Sequence, residues 1–211
     1  GHWGNYFSPM LEHNGQIVKG NGFVVNDFTD RGISFIEQNK DKPFFLYFAP
    51  GATHAPHHVP REWVEKYKGK FDKGWDKIRE ETFERQKKLG VIPADAVLAP
   101  KPKDIKDWES LSDKEKKLFA RQMEVFAAFS SHTDHEIGRL IDAIDDLGEL
   151  DNTIVVYIAG DNGSSAEGQM NGMYQEMTYF NQYPETVDEM LNHYDEWGSE
   201  STYPHFSAGW A

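Results

Sequence analysis

The 211-residue sequence contains no cysteine, which excludes disulfides, thiolate metal sites and a cysteine nucleophile. It has no apolar run of membrane-spanning length, and nothing in it follows the pattern of a signal peptide. Basic residues are scarce: 22 Lys and Arg stand against 35 Asp and Glu, a formal net charge of -13. Such a chain repels phosphate backbones and anionic bilayers, so neither nucleic acid nor membrane is an expected partner. An anionic small substrate stays open, because a local cation reverses the field within one pocket. There is no internal repeat. The chain begins Gly-His-Trp rather than with Met, so it reads as processed, trimmed, or started inside a longer protein.

With 38% hydrophobic and 27% charged residues, the composition is that of a soluble globular domain. The most informative stretch is TIVVYIAGDNG at 153–163. Thr153, Ile154, Val155, Val156, Tyr157 and Ile158 are β-branched or aromatic without a break, which predicts a strand covered on both faces. PFFLYFA at 43–49 predicts a second such strand, ended by Pro50-Gly51. Residues 16–19 suggest a short strand within a loop-rich opening.

Helices are expected at 27–38, from Pro60 to about Tyr67, and at 72–89, with Gly90 as terminator. Gly32 weighs against the first of these. In the helix at 72–89, Trp75, Ile78, Phe83 and Leu89 lie near one stripe. Residues 91–108 carry Pro93, Pro100 and Pro102 and read as a proline-rich loop. Ser112 and Glu115 form a capping-box pattern that opens a long helix. That helix reaches Gly148 unbroken, or bends near Ser130 and Ser131. Residues 169–211 form a loop-rich C-terminal stretch with one weak helix at 186–194. The order predicts an α/β fold, a mostly parallel sheet flanked by helices, with the whole chain in one domain. Two strands are few for such a sheet, so it looks incomplete.

In a parallel sheet both strand ends would face one crevice. Asp161 and Asn162 follow one strand, and their side-chain oxygens suit a hard cation, Ca²⁺ or Mg²⁺. Asp-Asn-Gly also makes an ordinary turn. The loop after the other strand, GATHAPHH, holds His54, His57 and His58. His54 is the simplest candidate to meet an anionic oxygen or protonate a leaving group. The alternatives are a three-histidine zinc site, or surface histidines with no role at 57 and 58. Asp134, His135, Asp142, Asp145 and Asp146 read as the solvated face of the long helix. Ser164 and Ser165 lack a nucleophile elbow. The six tryptophans read as packing residues.

The stretches KPFFLYFAPGATHAPHHVPREWVEKYKGKFDKGWD, RQKKLGVIPADAVL, RQMEVFAAF and HEIGRLIDAIDDLGELDNTIVVYIAGDNGSSAEG resemble the sulfatase family, bacterial arylsulfatase type, of the alkaline-phosphatase-like fold. NYFSPMLEHNG and YPHFSAGWA resemble the same branch. The resemblance implies a sulfuric ester hydrolase acting on a small sulfate ester or a sulfated glycan. It implies that Asp161 and Asn162 ligate Ca²⁺ or Mg²⁺ and that His54 contacts the sulfate group or leaving oxygen. It also implies a formylglycine nucleophile made from a C/S-x-P-x-R motif. That motif does not occur in these 211 residues. Nor do the early Asp-Asp pair, the Lys and His of the family's first part, or its late Lys. The sequence therefore reads as the middle of a sulfatase, inactive alone. A phosphoesterase or phosphonate hydrolase of the same superfamily, and a non-catalytic α/β binding protein, are the competing expectations.

Overall fold

A computed structural model describes residues 5–160 and 167–211. The chain opens on a hairpin of β1 (Met10–His13) and β2 (Gln16–Lys19), antiparallel, with Met10 opposite Lys19. Asn14 and Gly15 turn it with φ of 51° and 81°, the left-handed pair that a two-residue hairpin loop requires. Helix α1 follows at Val24–Asn39, then α2 at Arg61–Glu65 and α3 at Gly74–Leu89. The spine is α4, Asp113–Asp146. Two short helices, α5 (Glu176–Phe180) and α6 (Val187–Asn192), lie in the C-terminal stretch.

Helix α4 runs 34 residues unbroken, about 50 Å at ~1.5 Å per residue. Its start is the expected capping box. Glu115 N–H donates to Ser112 Oγ, and Ser112 N–H donates to the Glu115 carboxylate at 2.8 Å. Its end is set by Gly148, whose φ of 73° lets its N–H turn back to the Asp145 carbonyl at 2.7 Å. Between them Leu118, Phe119, Val125, Ala128 and Phe129 are buried in the main core, and α1, α2 and α6 pack against α4. Phe126 and Ile137 are only half-buried.

Gly32, which counts against α1 on propensity alone, is there for packing. A Cβ on it would lie 2.9 Å from Leu140 Cδ2, so the glycine lets α1 close onto α4. Among the described residues Trp75, Trp108 and Trp197 are core, and Trp63 and Trp210 pack against it, as their scatter suggests. Trp75 meets Trp108 edge-on at 4.9 Å and Trp210 at 5.8 Å, and Trp210 Nε1–H donates to the Phe119 carbonyl. Helix α3 begins in this cluster at the buried Trp75 and then emerges. Leu89, expected on the buried stripe, is 70% exposed.

The expected parallel sheet is not formed within the described residues, where the single sheet is the β1–β2 hairpin. Residues 43–49 and 153–160 belong to no strand pair among the described residues. The first has one covered face. Phe44, Leu46 and Phe48 pack on Ile36, Leu140 and Ile144, while Phe45 and Tyr47 point outward, mostly exposed. In the second, Ile154, Val156 and Ile158 are exposed. An alternating or continuous apolar run reports that a segment wants burial, but the neighbour that supplies it is a property of the whole sheet. Among the described residues no helix is long and apolar enough to cross a membrane.

Stability follows this division. Phe129→Ala, at a fully buried position, is expected to cost about 3–5 kcal/mol in urea unfolding. Ser112→Ala, which removes the α4 cap, costs about 1 kcal/mol. Ile154→Ala, on an exposed segment, stays within about 0.5 kcal/mol of the parent.

Candidate active site

The loop at 50–58 leaves the covered extended segment and carries three histidines with three different fates. Gly51 sits against Tyr6, where a Cβ would come within 2.6 Å of the phenol oxygen. That phenol donates to the His54 carbonyl at 3.3 Å, and His54 N–H closes a turn onto the Gly51 carbonyl at 3.0 Å. The Ala52–Thr53 and Ala55–Pro56 peptide bonds are cis. Burial raises the Tyr6 pKa to about 12, so it stays a donor throughout the physiological range.

The His54 side chain is exposed. Its Nδ1 lies 2.8 Å from the Ala55 carbonyl, an acceptor only, so Nδ1 carries the proton. Nε2 of the neutral ring then keeps its lone pair.

His57 and His58 are not surface residues, as one expectation had them. His58 is fully buried. Its Nδ1 accepts the Tyr6 N–H at 3.3 Å and its Nε2 donates to the Thr202 carbonyl at 2.6 Å, which fixes a neutral tautomer. The ring thereby ties the N-terminal segment to the C-terminal stretch. His57 is also buried, its ring 5.0 Å from Phe126 and 5.1 Å from Phe206. Desolvation, reinforced by His205, His58 and His54, pulls its pKa down to about 3. The zinc alternative finds no support: among the described residues no three metal-ligating side chains converge.

A fourth histidine enters from the far end of the chain. His205 is 4% exposed and is held by main-chain bonds to Met173, at 3.1 Å and 2.9 Å. Its Nε2 lies 3.5 Å from Glu176 Oε1 and its Nδ1 3.9 Å from Glu167 Oε2. Nε2 is buried without an aligned hydrogen bond among the described residues. Burial pushes the ring's proton affinity down, Glu176 and Glu167 push it up, and His54 pushes it down again. His54 and His205, 151 positions apart, thus share one electrostatic environment. Sequence reading gave no role to His205, Glu176 or Glu167. The only signal was the run YPHFSAGWA, since the pairing of residue 205 with 173 has no local trace.

Asp161 and Asn162 lie outside the described residues. The chain before them ends at Gly160, and the chain after them begins at Glu167, beside His205. Ser164 and Ser165 fall in the same interval. Asp134, His135, Asp142, Asp145 and Asp146 are exposed on α4, as expected of a solvated face.

A sulfatase family model matches residues 5–194. The chain is 36% identical over 171 residues to an uncharacterized sulfatase of Schizosaccharomyces pombe, covering 78% of this chain and 30% of that protein. It is 31% identical over 172 residues to an arylsulfatase of Klebsiella aerogenes, covering 82% and 35%. It is 25% identical over 235 residues to an N-acetylglucosamine-6-O-sulfatase of Bacteroides thetaiotaomicron, covering 87% and 42%. The chain thus spans between 30% and 42% of the length of these curated relatives.

The buried His57 imposes a pH dependence whose sign is fixed. Below its ordinary pKa of 6.5 the unfolded chain takes up a proton that the folded ring refuses until about pH 3. The stability tied to this group is therefore complete above pH 6.5 and is lost as the pH falls toward 3. The slope is at most roughly 1.4 kcal/mol per pH unit. Chemical denaturation over a pH series is expected to show His57→Phe with a shallower acid limb, by up to one proton. An unchanged slope would mean the ring is hydrated.

Proposed function

Given that the chain belongs to the sulfatase family, we propose that it supplies part of the active site of a sulfuric ester hydrolase. The observation that carries the reading is the division of the histidine loop. Two imidazoles are buried and neutral, while His54 alone of the three presents its ring at the surface. His54 would touch the sulfate group or the leaving oxygen. With Nδ1–H held by the Ala55 carbonyl, a protonated Nε2 delivers its proton to the departing alkoxide. Tyr6 holds the backbone of that loop in place from behind.

Asp161 and Asn162 would provide two oxygen donors to Ca²⁺ or Mg²⁺, a donor set that fits a hard cation in kind. Six or more ligands are needed, so two cannot complete the shell. Such an ion, when bound, stabilises negative charge on the sulfate oxygens. The formylglycine nucleophile of the resemblance has no source in these 211 residues, which contain no C/S-x-P-x-R motif. The chain by itself is therefore expected to be inactive. Residues 43–49 and 153–160 would be strands of the family's mostly parallel sheet, their exposed apolar side chains being the faces that such a sheet covers. The whole chain, including the loop at 91–108 and the stretch at 169–211, would then be part of one catalytic domain. The substrate is a small sulfate ester or a sulfated glycan.

Calorimetry with Ca²⁺ tests the metal assignment. Asp161→Ala is expected to weaken binding at least about tenfold, roughly 1.4 kcal/mol, and equal heats from parent and variant would refute it. The hydrolase assignment is tested by grafting residues 5–194 into the Klebsiella arylsulfatase in place of its matched segment. The chimera is expected to cleave 4-nitrophenyl sulfate, and His54→Ala to lower its kcat/KM by about 10²-fold or more. The chain alone is expected to show no turnover. Turnover by the chain alone would place the nucleophile within it.

A further inference from the structure

The histidine loop is seated on a strip of chain that comes from the far end of the sequence. His57 N–H donates to the Pro204 carbonyl at 3.0 Å, and the His58 ring donates to the Thr202 carbonyl at 2.6 Å. The rings of His57 and His205 stand 5.8 Å apart. Residues 202–205 therefore lie against the loop that presents His54.

The strip is fixed in turn from its other side. Met173 and His205 exchange both main-chain hydrogen bonds. Ala208 N–H donates to the Gln169 carbonyl at 2.6 Å, and Ser207 Oγ–H donates to the Met170 carbonyl at 2.6 Å. Gly168 permits this approach, since a Cβ there would meet the Phe206 carbonyl oxygen at 2.0 Å and His205 Cβ at 3.0 Å. The packing brings Glu167 to within 3.9 Å of Nδ1 of His205. Glu176, the first residue of α5, stands 3.5 Å from Nε2.

His54 and His205 differ in what meets their nitrogens. Nδ1 of His54 faces a peptide carbonyl, which orients the ring without adding charge. Both nitrogens of His205 face carboxylates, on a ring that is 4% exposed. Burial opposes a proton on His205, Glu176 and Glu167 favour one, and His54 opposes it. His57 and Tyr203 complete the surround, with ring centroids 5.8 and 6.2 Å from that of His205. Burial pulls the His57 pKa down to about 3, and burial with Glu176 and Glu167 pushes the Tyr203 phenol up, so both are neutral near pH 7. Like charges repel, so a proton on His205 is set against a proton on His54.

We propose that His205 is a positioning residue for His54: its strip seats the loop, Glu176 and Glu167 hold its ring, and its charge is linked to that of His54. The proposal rests on the sulfatase reading for what His54 does, but its test does not, because it reads the rings and not turnover. Imidazole NMR on the full chain, isotope-labelled at histidine, follows each ring across the range in which histidine titrates. The signals missing from His54→Gln and His205→Gln assign the two residues. His54→Gln is expected to raise the pH at which His205 titrates by about half a pH unit, and Glu176→Gln to lower it by about one. His13→Gln, on the exposed β1–β2 hairpin, is expected to leave it unchanged. His205→Ala is expected to release the His54 ring from its single Nδ1–H tautomer. His205→Gln, whose amide still donates to Glu176, is expected to retain that tautomer. Circular dichroism checks that the variants fold, and should His205→Ala not fold, the His54→Gln and Glu176→Gln titrations decide alone. The idea fails if His205 titrates alike in the parent and His54→Gln, if Glu176→Gln leaves that titration unmoved, or if folded His205→Ala keeps the single tautomer. Failure of the His54→Ala turnover assay with these linkages intact would count against the sulfatase reading alone.

Discussion

Helix α4 has to bury one side along nearly its whole length, and most of the molecule is arranged by that need. A helix of 34 residues gains little from propensity alone, and its stability comes from what packs on it. Phe119 stacks on Trp75, Phe129 meets Tyr6 and Phe23, and Leu140 and Ile144 cluster with Ile36 of α1 and with Phe44, Leu46 and Phe48. Several polar groups on the same side are tied to partners. Arg121 and Glu124 pair at 3.1 Å, Glu124 also accepts the Gly69 N–H, and Glu136 is shared by Asn26 and Arg139. Gln122 extends the same logic to the C-terminal stretch, since one amide pins residues 171 and 207 together.

That arrangement decides what each histidine can do. Where a ring is enclosed by aromatic neighbours, as His57 is, the charged form is penalised and the residue becomes a packing element. Where both nitrogens are committed to main-chain groups, as in His58, the residue becomes a cross-link between distant segments. Only where one nitrogen is held and the other left open, as in His54, can the ring exchange a proton with something outside. Three imidazoles within five positions thus acquire three roles from their surroundings, with no difference in intrinsic chemistry between them.

Local signals were legible in the sequence wherever the physics is local. The Ser112–Glu115 box and the Gly90 and Gly148 stops each involve groups within a few residues, and each stands where the pattern placed it. The burial of His57 and His58 was not legible, because it depends on Phe206 and Thr202, well over a hundred positions away. The same holds for His205 and Glu176. Gly32 was misread as a weakness because its partner, Leu140, lies on another helix. Residues 43–49 and 153–158 read as buried strands, yet residues 154–158 are exposed and neither segment pairs among the described residues, because a run of apolar side chains does not specify the neighbour that covers it. The proposed metal ligands rest on residue type and resemblance alone, since Asp161 and Asn162 lie outside the described residues.

The two unpaired ribbons bear on how copies of this chain behave toward one another. Phe45 and Tyr47 on one, and Ile154, Val156 and Ile158 on the other, offer apolar side chains next to main-chain groups that no ladder among the described residues engages. Such edges are templates for stacking. What opposes stacking is the surplus of acidic side chains, a long-range repulsion that acts before the ribbons touch. Added electrolyte shortens the reach of that repulsion, from about 10 Å at 0.1 M to about 3 Å at 1 M, and leaves the adhesive faces untouched. The colloidal state of the chain is therefore governed by ionic strength, with concentrated salt drawing copies together and dilute buffer holding them apart.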